Sequence, residues 1–127
     1  MFEQDYIMRL IKEMVRVLLK LLFRIDVESS ETPGVDMLKE EKERRKLEEL
    51  QDMIDAGRIN EAENKVSDLL DEKDQKNLEL AILFYSYLND KSNEFLLENH
   101  FSREEVKSGL MDTLEQYGLS GMTEVFL

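Results

Sequence analysis

The chain has 127 residues and no cysteine: long enough for one domain with a real core, and without the means for disulfides, thiolate metal sites or cysteine nucleophiles. Its formal net charge is −12, unevenly spread: residues 1–25 carry five Lys/Arg against three Asp/Glu, +2, and residues 26–127 carry −14. An acidic body repels phosphates, so nucleic acid is not an expected partner, and the lack of cysteine fits a cytoplasmic protein.

Phe2 to Ile25 reads as one helix about 36 Å long. From Ile7 to Phe23 it has twelve apolar residues and five charged ones. Arg9, Lys12, Glu13, Arg16 and Lys20, continued by Arg24, fall in one stripe and leave an apolar arc of about 240°. A charge every three or four residues excludes a membrane-spanning helix, and no small-residue cleavage site marks a secretory signal. Residues 26–35 hold the only proline, beside a glycine, and read as a loop. Thr32 and Pro33 then suit the cap and first position of a second helix.

Residues 36–56 form that second helical pattern. Its stretch from Lys39 to Lys46 has no apolar residue and reads as solvated helix, with Glu40–Arg44 and Glu41–Arg45 at the favourable spacing. An apolar stripe resumes at Leu47, Leu50, Met53 and Ile54, and Gly57 closes the helix. Asn60 and Glu63 predict a capping box that opens a third helix burying Ala62, Val66, Leu69 and Leu70. Leu78 to Leu88 is apolar on nearly all sides and reads as a central buried helix. A short helix near Ser92 to Glu98 follows. Ser102 and Glu105 then make a capping box, stapled by Phe101 on Val106, for a last helix that buries Val106, Leu110, Leu114 and Tyr117 and stops at Gly118. The tail ends in Val125-Phe126-Leu127.

Residues 47–70, with Gly57, Ile59 and Ala62 at the turn, resemble a single tetratricopeptide-type helical hairpin. Over nearly its full length the chain resembles an uncharacterised family of small helical proteins from Firmicutes. The matching stretches are QDYIMRLIKEMVRVLLKLLF, GRINEAENKVSDLLDE, FYSYLN and FSREEVKSGL. That resemblance implies no activity and transfers no functional residue.

No catalytic, cofactor-binding or metal-binding residues are expected. His100 is the only histidine and reads as an exposed or capping loop residue. The acidic cluster Asp68, Asp71, Glu72 and Asp74 lacks the glycine and closing Glu of a calcium loop and reads as a solvated turn. Glu61 and Glu63 point to different sides of a helix, and capping accounts for Glu63. Tyr85 and Tyr87 are expected to pack with a hydroxyl partner.

The expected architecture is therefore all-α. An N-terminal association helix (1–25) and a loop (26–35) precede a tetratricopeptide-like helical body (36–118) and a tail (119–127). The wide arc of the first helix is either ordinary core or an association surface. In the second case Ile7, Leu10, Ile11, Met14, Val15, Leu18, Leu21, Leu22 and Ile25 would carry it. The leading functional expectation is a protein–protein interaction or scaffolding module that forms a homodimer or higher homo-oligomer through that helix. The alternative is peripheral attachment to a membrane surface through its basic stripe. An enzyme ranks third, with no site to be located.

Overall fold

A computed structural model describes residues 2–28 and 32–122 of the chain. Among these residues there are six α-helices and no strand, so the fold is all-α. The helices are α1 (Phe2–Phe23), α2 (Glu41–Asp55), α3 (Ile59–Leu70), α4 (Gln75–Asn89), α5 (Asn93–Glu98) and α6 (Arg103–Gln116). A 3₁₀ turn, Val35–Met37, precedes α2. No helix among the described residues is long and apolar enough to cross a membrane. The tail residues Val125, Phe126 and Leu127 lie outside the described residues.

From Asn77 to Asn89 every residue of α4 except Glu79 and Tyr87 is buried. A helix apolar all round needs neighbours all round, and α1, α2, α3 and α6 all pack against it. α1 also touches α6, and α2 pairs with α3. Ala62, fully buried, lets α2 and α3 approach closely, and Lys65 pairs with Glu49 across them at 3.1 Å.

At the start of the last helix the Ser102 cap forms, its Oγ accepting the Glu105 amide at 3.2 Å, and Phe101 and Val106 are both buried; the reciprocal bond from the Glu105 carboxylate is absent among the described residues. Ser92 caps α5 in the same way, accepting the Phe95 amide at 3.0 Å. Two other starts differ from expectation. The second helix begins at Glu41 rather than 36, without a Thr32 cap, because Leu38 turns extended to reach the core. The Asn60–Glu63 capping box does not form. The turn at Gly57 leads straight into α3 at Ile59, which is buried, and Arg58 stands at the cap without a side-chain bond.

Arg103 joins four parts of the chain. It is 2% exposed, and its guanidinium donates to the carbonyls of Asn89 and Lys91 (3.0 Å for Lys91) and to Asn93 Oδ1 at 2.6 Å. Asn89 Nδ2 in turn donates to the Met8 carbonyl at 3.0 Å. One buried cation and its amide neighbour thus tie α6, the end of α4, the start of α5 and the first third of α1. Burial lowers the pKa of Arg103, while Asp5, Asp90 and Glu104 oppose the shift.

Five helices end through a left-handed residue. Two are the glycines the sequence marks, Gly57 (φ 82°) and Gly118 (φ 70°). Three are not glycine: Arg24 (φ 58°), Lys73 (φ 53°) and His100 (φ 56°). Each still closes its helix by backbone bonds, as when the Phe101 amide reaches the Leu96 carbonyl at 2.8 Å. A Cβ in this region costs about 1 kcal/mol. Lys73 is exposed and makes no side-chain hydrogen bond or ion pair among the described residues that would offset a glycine there. Lys73→Gly is therefore expected to stabilise the protein by about 0.5–1 kcal/mol, read as a raised urea midpoint with an unchanged slope.

Candidate functional site

α1 is part of the core rather than a separate association arm. Of the nine residues expected to form an association surface, Ile11, Met14, Val15 and Leu18 are at most 2% exposed, covered by their own chain. Ile7, Leu10, Leu22 and Ile25 are half-buried against the same core. Leu21 alone stands open, at 64% exposure. The correction has a simple cause: α4 offers an apolar surface on every side, so α1 finds cover on α4 and α6 that a single-faced partner could not supply.

What α1 leaves uncovered is a narrower strip on its flank. Tyr6 is 65% exposed, and with Leu21 it supplies two of the three large hydrophobic residues that stand open among the described residues. Between them on the same flank lie half-buried Leu10 and Val17. Arg9, Arg16, Lys20 and Arg24 border the strip. Arg16 is paired with Glu13 at 3.0 Å, and Lys20 is paired with Asp26. Tyr6 and Val17 were not singled out from the sequence. The signal was the spacing 6, 10, 17, 21, which lies at the edge of the broad arc and is hidden by it.

The groups with possible chemistry have structural roles. His100 occupies the left-handed position that closes α5, and its neighbour Asn99 stands where a Cβ on Gly57 would meet it at 2.3 Å. In the acidic cluster, Asp74 caps α4 by accepting the Lys76 amide at 2.9 Å, and Glu72 accepts from Asn77 Nδ2 at 3.1 Å. Tyr117 donates to the Asp74 carbonyl at 2.7 Å, which fixes the end of α6 on that turn. Tyr87 donates to Asp55 at 2.7 Å, and Lys91 lies over the Tyr87 ring at 4.8 Å while bonding the same carboxylate. Hydrogen bonds from Lys91 and Tyr87 hold Asp55 below the ordinary carboxylate range against the opposing effect of burial.

Glu63 is not a cap but the acceptor for Tyr85, whose hydroxyl donates to Oε2 at 2.8 Å. Burial, with Asp112 and Glu105 nearby, raises the Glu63 pKa above the usual value despite this bond. Burial and the same carboxylate push the Tyr85 phenol far up, so it stays a donor. Gly109 admits the ring: a Cβ there would lie 2.5 Å from the Tyr85 hydroxyl and two ring carbons.

A family model covers residues 1–118, and the chain belongs to that family, a family of unknown function (DUF6483). No curated protein and no solved structure matches the chain.

Two outcomes follow from the Tyr85 pocket. Gly109→Ala gains up to about 1 kcal/mol in helix propensity, yet must displace a ring buried on all sides, which costs about 1–3 kcal/mol. Net destabilisation is expected in thermal unfolding. Glu63→Ala strands the Tyr85 hydroxyl and is expected to cost about 1–3 kcal/mol, whereas Glu63→Gln keeps an acceptor. Because the folded-state pKa of Glu63 is raised, its favourable contribution is present below pH 4.5 and lost as pH rises through the folded value. Parent and Glu63→Gln stabilities should therefore converge in acid and separate in favour of Gln toward neutrality, measured by denaturant unfolding at several pH values.

Proposed function

We propose that the chain is a cytoplasmic protein–protein interaction module, not an enzyme, and that it pairs with a second copy of itself through the outer flank of α1. The symmetry of the strip carries this reading. The pairs Tyr6–Leu21 and Leu10–Val17 share one midpoint, between Glu13 and Met14. Two antiparallel copies of α1 would set Tyr6 opposite Leu21 and Leu10 opposite Val17, with the two-fold axis passing between Glu13 and Met14. Such a pairing uses one strip for both subunits.

Size sets the strength. The strip runs about 22 Å along the helix and is one helix face wide, so it covers a few hundred Å². A standard interface takes about 800 Å² from each partner. The dimer is accordingly weak and forms with rising concentration. The neighbouring cations support a second reading, attachment to an anionic membrane, for which the strip would be the inserted edge.

Light scattering coupled to size exclusion, from about 10 μM to about 1 mM, tests the first reading. The mass should climb from 15.0 kDa toward twice that value. Leu21→Glu should hold it at the monomer without loss of fold. Leu18→Asp should unfold the protein, since Leu18 is fully buried within its own chain. A mass fixed at 15.0 kDa throughout removes the self-association reading. Salt-sensitive binding of that monomer to anionic vesicles would favour the membrane reading instead.

A further inference from the structure

The strip on α1 differs at its two ends. At one end Tyr6 stands out from the surface, 65% exposed. At the other end the surface is concave. Arg24 adopts a left-handed conformation, and the Ile25 amide reaches back to the Leu19 carbonyl at 3.0 Å. The chain leaves the helix at that bend, and Asp26 and Val27 lie beside its last turns. A groove of about 380 Å³ opens there, lined by Arg16, Val17, Lys20, Leu21, Asp26 and Val27. Val17, Leu21 and Val27 give it an apolar wall. The ion pair of Lys20 with Asp26 forms its rim, and both side chains are mostly exposed.

An apolar wall beneath a cation and a carboxylate suits a tyrosine. Its ring covers the wall, its hydroxyl donates to the carboxylate, and the cation faces the ring. The chain holds this arrangement once already, within itself. Tyr87 donates to Asp55 at 2.7 Å, and Lys91 bonds the same carboxylate while lying 4.8 Å from the Tyr87 ring centre. Lys20 and Asp26 present the same pair of charges with no aromatic ring among the groove's lining residues.

Helix geometry brings Tyr6 of a second copy to this place. In the antiparallel pairing Tyr6 of one copy stands level with Leu21 of the other. At 100° per residue Tyr6 leans to the edge of the strip that carries Glu13 and Lys20, about 60° from Leu21. A two-fold axis through the seam, at right angles to both helices, leaves the charged edges of the two copies on the same side. Tyr6 therefore arrives on the side where the other copy carries Lys20 and the groove.

We propose that the Tyr6 ring of each copy seats in the groove of the other, on Val17, Leu21 and Val27, with its hydroxyl donating to Asp26 and Lys20 facing the ring. This contact rests on the pairing of α1 strips and is made twice by symmetry. It also sets the direction of pairing, because parallel helices would bring Tyr6 against Tyr6 and leave both grooves unfilled.

The test uses the full-length chain at about 1 mM, with the paired fraction read by light scattering. A mixture of ¹³C-labelled and unlabelled protein isolates contacts between copies. Within one chain Tyr6 is about 17 Å along the helix from Val17 and about 22 Å from Leu21, too far for a nuclear Overhauser effect. Isotope-filtered cross-peaks are expected from the unlabelled Tyr6 ring to the labelled methyls of Val17, Leu21 and Val27. Tyr6→Ala should weaken pairing about tenfold or more, as loss of an aromatic anchor does. Tyr6→Phe and Asp26→Asn should each weaken it several-fold, and together no more than either alone, since both remove one bond. Tyr6 and Asp26 are exposed, so these variants keep the fold. A sample that pairs without those cross-peaks overturns the seating of Tyr6 and leaves self-association standing. So does Tyr6→Ala pairing as tightly as the parent, or affinity unchanged in both Tyr6→Phe and Asp26→Asn. A parent that stays at 15.0 kDa removes the pairing and this contact together.

Discussion

A helix with apolar side chains on every side must be covered on every side, and the arrangement of this chain follows from that demand at α4. Four helices close around it, α1 and α6 among the most extensively. The wide arc of α1 is the counterpart of the wide arc of α4. Neither helix could be dry alone, and each meets much of the other's need. This is why the α1 residues that look like surplus apolar surface in a linear reading are interior in the folded chain.

Hydrophobic cover is not directional, so something must fix how the helices sit around α4. Arg103 and Asn89 do this. A guanidinium presents its donors in a fixed fork, and here carbonyl and amide oxygens of one short stretch, residues 89–93, receive those of the two terminal nitrogens, while the buried Nε has no partner among the described residues. Asn89 passes the constraint on to α1 through the Met8 carbonyl. No carboxylate lies within ion-pair distance of Arg103 among the described residues. The charge is held by dipoles, so its position depends on geometry more than on attraction, and a lysine, lacking the fork, would not reproduce it.

The fold class was legible because periodicity and caps are local. The Ser102 cap, the Gly57 and Gly118 stops and the all-round apolar run of α4 depend on neighbours within a few residues. The Asn60 box failed because a turn at Gly57 had already started the helix, and two local signals competed for the same stretch. Glu43 and Arg103 were harder for a common reason. Each is a charged residue on an apolar stripe, Glu43 ahead of Leu47 and Arg103 three residues before Val106. Type argued for solvent and position argued for burial, and position prevailed. The pairing strip was hidden differently: deciding which part of the α1 arc stays open requires knowing where α4 and α6 lie, and that is tertiary information.

The reliance of α1 on α4 and α6 has a consequence during biosynthesis. Some fifty residues separate the end of α1 from the start of α4, about 3–10 s of translation at ordinary rates. Over that interval α1 is made and neither of its covering helices is. A holding chaperone would find an apolar face to grip until α4 emerges to displace it.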